Sequence, residues 1–249
     1  MDIVISIIVF ILGLLFGSFT NVIIYRMPRE ESIVQPPSHC PSCNTRLGVL
    51  DLIPVLSWVF LGGRCRYCQG KISPRYAVVE LLSGLLFLVV YLRYGFSMET
   101  VAGWVFVIIL LAVSFTDLDE GMIPDRLTYP GMVLGLVLSF WTIGFLPALY
   151  GFLAFGGLML AIAVISNGGM GGGDIKLAAC IGAFTGLIGS AITLMMAALL
   201  GAVFGLGLIF LKKGGRKTMV KFGPFLAVSA FTAYLYAANI WSWYMGSFF

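Results

Sequence analysis

"VFVIILLAVSFTDLDEGMIPDRLTYP" (residues 105–130) begins as an unbroken apolar run and stops abruptly on an aspartate, Asp117. Extended back to residue 100, the run reaches the roughly 20 residues that cross a bilayer as a helix. Asp117 then lies on its last turn, still at membrane depth. Asp119, Glu120 and Asp125 follow, separated by Gly121 and Pro124, before another apolar run starts. The segment therefore reads as helix, turn, helix at a membrane face. Asp125, between Pro124 and the new run, has the position of a helix N-cap. An ionisable group within a span costs a few kcal/mol or more, so Asp117 is a functional candidate by default.

The rest of the chain supports the membrane reading. Of its 249 residues 60% are hydrophobic and only 10% charged, against about 45–50% and about 25% in soluble domains. Candidate spans fall near 3–25, 76–94, 100–118, 127–145, 146–166, 174–191, 192–211 and 225–245. These runs are continuously apolar and do not alternate, which argues against a β-barrel. The first lacks a basic leader and a small-residue cleavage site, so it reads as a retained helix. With the N-terminus outside, the inner segments and their flanks collect every basic residue except Arg93, as the positive-inside rule requires. The stretch 174–211 must hold two short helices; a seven-span reading would leave the C-terminus inside. The fold expected is an all-α polytopic membrane protein with about eight transmembrane helices and a small zinc-ribbon-like cytoplasmic loop domain. Its organisation is a first transmembrane helix (1–25), a cytoplasmic four-cysteine loop domain (26–75) and a multi-helix membrane catalytic domain (76–249). Small-residue repeats, Gly13 to Gly17 and Gly201 to Gly205, would let helix backbones approach closely in lipid. No basic stripe interleaved with aromatics points to nucleic acid.

The loop contains "CPSCNTRLGVLDLIPVLSWVFLGGRCRYC" (40–68). Cys40 and Cys43 form one C-x-x-C pair, Cys65 and Cys68 a second, at a spacing close to that of zinc ribbons. Four thiolates complete a closed tetrahedral site that folds the loop and leaves no open position for substrate. On the inner face thiols stay reduced, which favours metal over disulfides. Reduced or redox-active thiols are the alternative. His39 beside Cys40 reads as a bystander, and Cys180 within an apolar span as packing.

A second acidic feature is "GGMGGGDIK" (168–176), where Asp174 precedes a new apolar run. Asp174 alone could be a plain N-cap. The glycines add a reason for more, because such backbone is useful where the chain bends or another chain comes close; Gly171, Gly172 and Gly173 are candidates for a substrate loop. By this topology Asp117 and Asp174 stand at the same membrane face. Two carboxylates sharing a site cannot easily both ionise, so one acts as general acid while the other activates water. The chain has one histidine, no G-x-S-x-G and no H-E-x-x-H, so serine-triad and metalloprotease chemistry are poorly supported.

Taken in order, these residues resemble the type IV prepilin peptidases, bifunctional leader peptidases and N-methyltransferases of bacteria. The resemblance rests on "GSFTNVIIYRMP" (17–28), the two cysteine pairs with "LGGRCRYC", "SPRYAVVELLSG" (73–84), "DLDEGMIPDRLTYP" (117–130), "GMGGGD" (169–174) and "KFGPFLA" (221–227). It implies Asp117 and Asp174 as the catalytic pair of a G-x-G-D membrane aspartic peptidase. It also implies prepilin or pseudopilin substrates, whose short basic leader is cut after a glycine at the cytoplasmic face of the bacterial inner membrane. Methylation of the new N-terminus with S-adenosylmethionine is implied in the same way. No Rossmann-type glycine motif is present, so a methyl-donor site must be built differently. Two other readings compete. An ion-coupled transporter would use Asp117, Asp174 and Glu80 as a relay, but the carboxylates collect at one interface and the cysteine loop goes unexplained. A zinc-stabilised scaffold leaves the glycines and Asp174 without a role.

Overall fold

A computed structural model describes residues 3–166, 169–210 and 221–248. Eight α-helices account for most of them: α1 Ile3–Arg26, α2 Leu56–Phe60, α3 Arg75–Tyr94, α4 Met98–Glu120, α5 Asp125–Leu138, α6 Phe145–Ile165, α7 Gly172–Phe210 and α8 Gly223–Phe248. Among the described residues the β structure is two isolated bridges. All of these helices except α2 and α5 are long and apolar enough to cross a membrane. The protein is a multi-pass membrane protein. The chain forms two compact units, Met1–Ala112 and Val113–Phe249.

In the first unit α1 lies against α3 because glycine lets the backbones touch. A Cβ on Gly13 would stand 2.8 Å from Gly84 Cα, and one on Gly17 would stand 2.7 Å from Glu80 Cα. The expected Gly13–Gly17 contact is therefore real. The Gly201–Gly205 repeat is not used this way, since Gly201 has only ordinary contact with Phe222 and Gly205 faces open space. Phe87 stacks between Phe16 and Trp104, with ring centroids 5.7 and 5.2 Å away. The Trp104 indole N–H donates to the Phe87 carbonyl at 3.1 Å, which ties the start of α4 to α3.

The second unit departs from the expected spans in two places. The run 127–145 is not one span: α5 ends at Leu138, a 3₁₀ turn covers Ser139–Trp141, and α6 starts at Phe145. At 14 residues α5 is about 21 Å long, shorter than the roughly 30 Å hydrocarbon layer. The second departure is in α7, whose 39 residues would extend about 58 Å as a straight rod. Gly186 breaks it, with φ 66° and ψ −171°, a conformation open to glycine alone. The two halves double back. Gly201 packs by Phe222, next to the Gly223 amide that bonds Asp117, and Asp174 also lies near Asp117. A straight helix would hold Asp174 and Gly201 about 40 Å apart. The two short helices expected in 174–211 thus exist, but they meet at Gly186 and not near residue 191. Gly151 of α6 receives the reversal, since a Cβ there would stand 2.7 Å from Gly186 Cα.

Candidate functional site: four helix ends around two aspartates, and a four-thiol loop

Doubling α7 back brings the end of α4 and the starts of α5, α7 and α8 together in the second unit. Asp117 is on the last turn of α4 and only 7% exposed. Its Oδ2 accepts the backbone N–H of Gly223, the first residue of α8, at 3.1 Å. A helix N-terminus is suited to a carboxylate, because its first N–H groups lack partners within the helix. Glycine at 223 is what lets the carboxylate sit here, since a Cβ would stand 2.7 Å from Asp117 Oδ2 and displace it. The Lys221 ammonium donates to the Leu118 carbonyl at 2.7 Å, placing a cation at the C-terminal end of α4.

Asp174 sits in the first turn of α7 and is half-buried. It is the third residue of the helix and not its N-cap. Its charge interacts with that of Asp117. The three glycines before it behave differently from one another. A Cβ on Gly173 would stand 2.7 Å from Ile123 Cβ, so Gly173 seats α7 on the α4–α5 turn. Gly171 lies beside Asp174 Oδ2, and Gly172 faces open space. None of the three has a positive φ, and only Gly173 has a neighbour close enough to require glycine.

Asp125 is the first residue of α5, behind Pro124 at the cap. It is not capping; both of its oxygens take the Lys176 ammonium, at 2.6 and 2.7 Å. This ion pair ties α5 to α7 two residues beyond Asp174, with Lys176 also over the Tyr129 ring at 5.2 Å. Asp119 and Glu120 are exposed at the end of α4. Lys212, Lys213, Arg216 and Lys217 lie outside the described residues.

The four thiols of the first unit also converge. All four Sγ atoms lie within 4.8 Å of one another, with Cys40 and Cys68 3.9 Å apart. Tetrahedral zinc–sulfur bonds of about 2.3 Å place sulfurs about 3.8 Å apart, so the donor set fits such an ion. The two halves repeat each other. Cys40 N–H donates to Thr45 O and Cys65 N–H to Gly70 O, while Asn44 N–H donates to Cys40 O and Gln69 N–H to Cys65 O. Asn44 and Gln69 take matching left-handed conformations, φ 54° and 58°. Hydrogen bonding with Thr45 pulls the Cys43 thiol down to about 6, and the backbone N–H groups of Cys68 and Tyr67 hold Cys65 below its usual value. At these two positions thiolate, the form that binds metal, is favoured, while burial and the neighbouring thiols push Cys68 up to about 11. His39 bonds Pro37 O through Nδ1 at 3.1 Å and is not among the converging ligands. Cys180 is fully buried.

Asp51 braces this loop. It accepts from Arg66 Nε at 2.6 Å, Tyr67 OH at 3.1 Å and Gly48 N–H at 3.0 Å. The Arg66 hydrogen bond, foremost, holds its carboxyl below the ordinary carboxylate range. A carboxylate with a depressed folded pKa stabilises the fold above its unfolded value of about 3.9, and this contribution disappears as pH falls through the folded value. Asp51→Asn accordingly lowers the melting temperature in detergent at neutral pH, and the gap from the parent narrows as pH falls below the unfolded value of about 3.9. A gap that is constant with pH would exclude this role.

The chain is similar to known proteins along most of its length. Residues 11–94 match the Bacterial Peptidase A24 N-terminal domain and residues 104–206 the Type IV leader peptidase family. The chain is 36% identical to the Prepilin leader peptidase/N-methyltransferase of Aeromonas hydrophila over 271 residues, spanning 96% of this chain and 93% of that protein. This chain belongs to the type IV leader peptidase family. The Prepilin leader peptidase/N-methyltransferase of Bacillus subtilis (strain 168) is also 36% identical, over 96% of this chain and 97% of its own length. That of Myxococcus xanthus (strain DK1622) is 40% identical over 81% of this chain and 62% of its own. No solved structure gives a significant match. Within this family member the four cysteines fall in the first matched region, and Asp117 and Asp174 in the second. Gly223 and Lys221 lie beyond both. Sequence reasoning noted "KFGPFLA" without assigning them a role; the signal available was Pro224, whose position beside Gly223 marks a helix start.

Proposed function

We propose that this protein removes the basic leader from prepilin or pseudopilin precursors, cutting after a glycine, and then methylates the new N-terminal amine. The observation that carries the peptidase reading is that Asp117 and Asp174 stand at the ends of two helices within electrostatic reach of each other, in a chain of this family. The two carboxyls share one proton. The ionised one takes a proton from water as its oxygen attacks the scissile carbonyl. The protonated one donates to that carbonyl oxygen; when the intermediate collapses, the C–N bond breaks and the amine leaves with a proton. The Gly223 N–H fixes the Asp117 carboxylate, and the space at Gly171 and Gly172 admits an extended substrate backbone beside Asp174. Asp119 and Glu120, exposed at the same helix end, attract the basic leader.

The same proposal places the site at the cytoplasmic face of the bacterial inner membrane, with the N-terminus outside and the cysteine loop inside. The distribution of basic residues supports this orientation. Cys40, Cys43, Cys65 and Cys68 hold a structural zinc ion, which completes the loop and takes no part in the reaction. Methyl transfer follows from the family, with S-adenosylmethionine as the donor.

The test is to incubate the purified protein with a prepilin and labelled S-adenosylmethionine. The expected products are the free leader and a labelled mature N-terminus. An intact precursor after extended incubation with folded protein would sink the reading. Gly223→Ala provides a sharper check, because its methyl group forces the Asp117 carboxylate from its place. A misplacement near 1 Å costs about 10²-fold, so kcat for cleavage falls by about that factor while the protein stays folded. Undiminished kcat would show that the Gly223 contact does not orient Asp117.

A further inference from the structure

Neither the metal site nor the reaction accounts for the apolar insert between the two cysteine pairs, "GVLDLIPVLSWVFLGG" (48–63). It belongs to the loop between two spans, yet most of its large apolar side chains are exposed. Val49 is 84% and Phe60 83% exposed, and Leu50, Leu56 and Val59 are exposed as well. A contiguous apolar surface of this kind marks an interaction site.

The insert's attachment identifies what covers it. Val55 N–H donates to Glu80 Oε2 at 2.7 Å. Glu80 is buried in the second turn of α3, about 8 Å inside that span, with Gly17 of α1 packed on its Cα. Val55 therefore sits at the depth of two membrane helices. At the same depth α3 exposes Val78, Leu81 and Leu82, as a lipid-facing helix does. Val55 has φ 62° and ψ −51°, a strained backbone for a β-branched residue, and the Glu80 bond holds it there. Trp58 pins the other side through its indole N–H to Ile72 O at 3.2 Å, while Leu56, Val59 and Phe60 around it stay exposed.

Two further features fit a lipid environment. The N–H groups of Ser57, Val59, Leu61 and Gly63 all donate to carbonyls of the same short segment, and backbone entering hydrocarbon must be satisfied internally. Basic residues flank the insert on both sides, Arg46 before it and Arg64 and Arg66 after it, all exposed. An apolar face with basic flanks is the pattern of a segment lying in an anionic bilayer surface.

We infer that this insert is a monotopic membrane anchor: Val49, Leu50, Leu56, Val59 and Phe60 lie in the inner leaflet at the level of Glu80 and seat the cysteine loop on anionic lipid, while the Asp51 carboxylate stays turned back onto Arg66 and Tyr67 of the loop. The anchor is independent of the proposed reaction.

The test uses the full-length protein in phosphatidylglycerol-containing vesicles, with Phe60→Trp and Leu50→Trp made separately and metal content matched to the parent. The emission each added tryptophan contributes over the parent is read. Bromine-labelled acyl chains are expected to quench it by about half or more, while aqueous acrylamide leaves it nearly unchanged. Quenching by acrylamide without quenching by bromolipid would place the insert in water. Shielding from both would show that protein covers it. Either result overturns the anchor.

Discussion

Asp117→Asn and Asp174→Asn each reduce leader cleavage by about 10²- to 10⁴-fold, the range supplied by a positioned acid–base group. Asparagine preserves the shape of either side chain, and its amide oxygen at position 117 still accepts the Gly223 N–H. The fold and substrate affinity are therefore kept, and the loss appears in kcat with KM little changed. The double variant discriminates further. Two carboxyls that share one proton fail as a unit, so removing both costs about as much as removing one. Independent groups would multiply their effects. Full cleavage by either single variant, followed as leader release from a purified precursor, would sink the two-aspartate mechanism.

The legible parts of this structure were those carried by composition or by residue type. Long apolar runs marked most spans, and a carboxylate directly after one marked Asp117. Paired cysteines marked the four-thiol cluster. Positions set by a neighbour elsewhere in the chain were not legible. Gly186 is one of several glycines in α7, and what makes it the reversal is its conformation and its contact with Gly151 on α6. The end of α5 was hidden by continued apolarity, although Ser139 Oγ bonding Leu136 O and Gly144 at φ 91° terminate it locally. The glycines before Asp174 suggested a pliable loop. Instead Gly172 and Gly173 begin a helix, and Gly173 is fixed by Ile123, which no local pattern announces. Gly223 was missed because its function is to lack a side chain.

Replacing Cys65 with serine abolishes tight zinc binding and unfolds the cysteine loop, a larger effect than the same change at Cys68. Structural zinc in small four-ligand sites contributes on the order of 10–16 kcal/mol of apparent binding free energy, most of which becomes folding free energy. This loop has little else to hold it: two isolated bridges, the Asp51 brace and the Glu80 tether. Cys65 is 1% exposed and Cys40 4%, whereas Cys68 is exposed. Serine at a buried position leaves both an open coordination site and a hydroxyl with no water to satisfy it. At Cys68 water can enter as the fourth ligand, so partial metal retention is expected. Zinc content of the purified protein and protease sensitivity of residues 30–74 read both effects, and a chelator should reproduce the Cys65→Ser pattern in the parent. Protein purified without zinc whose loop resists protease as well as the zinc-loaded parent does would mean that packing alone holds the four thiols together.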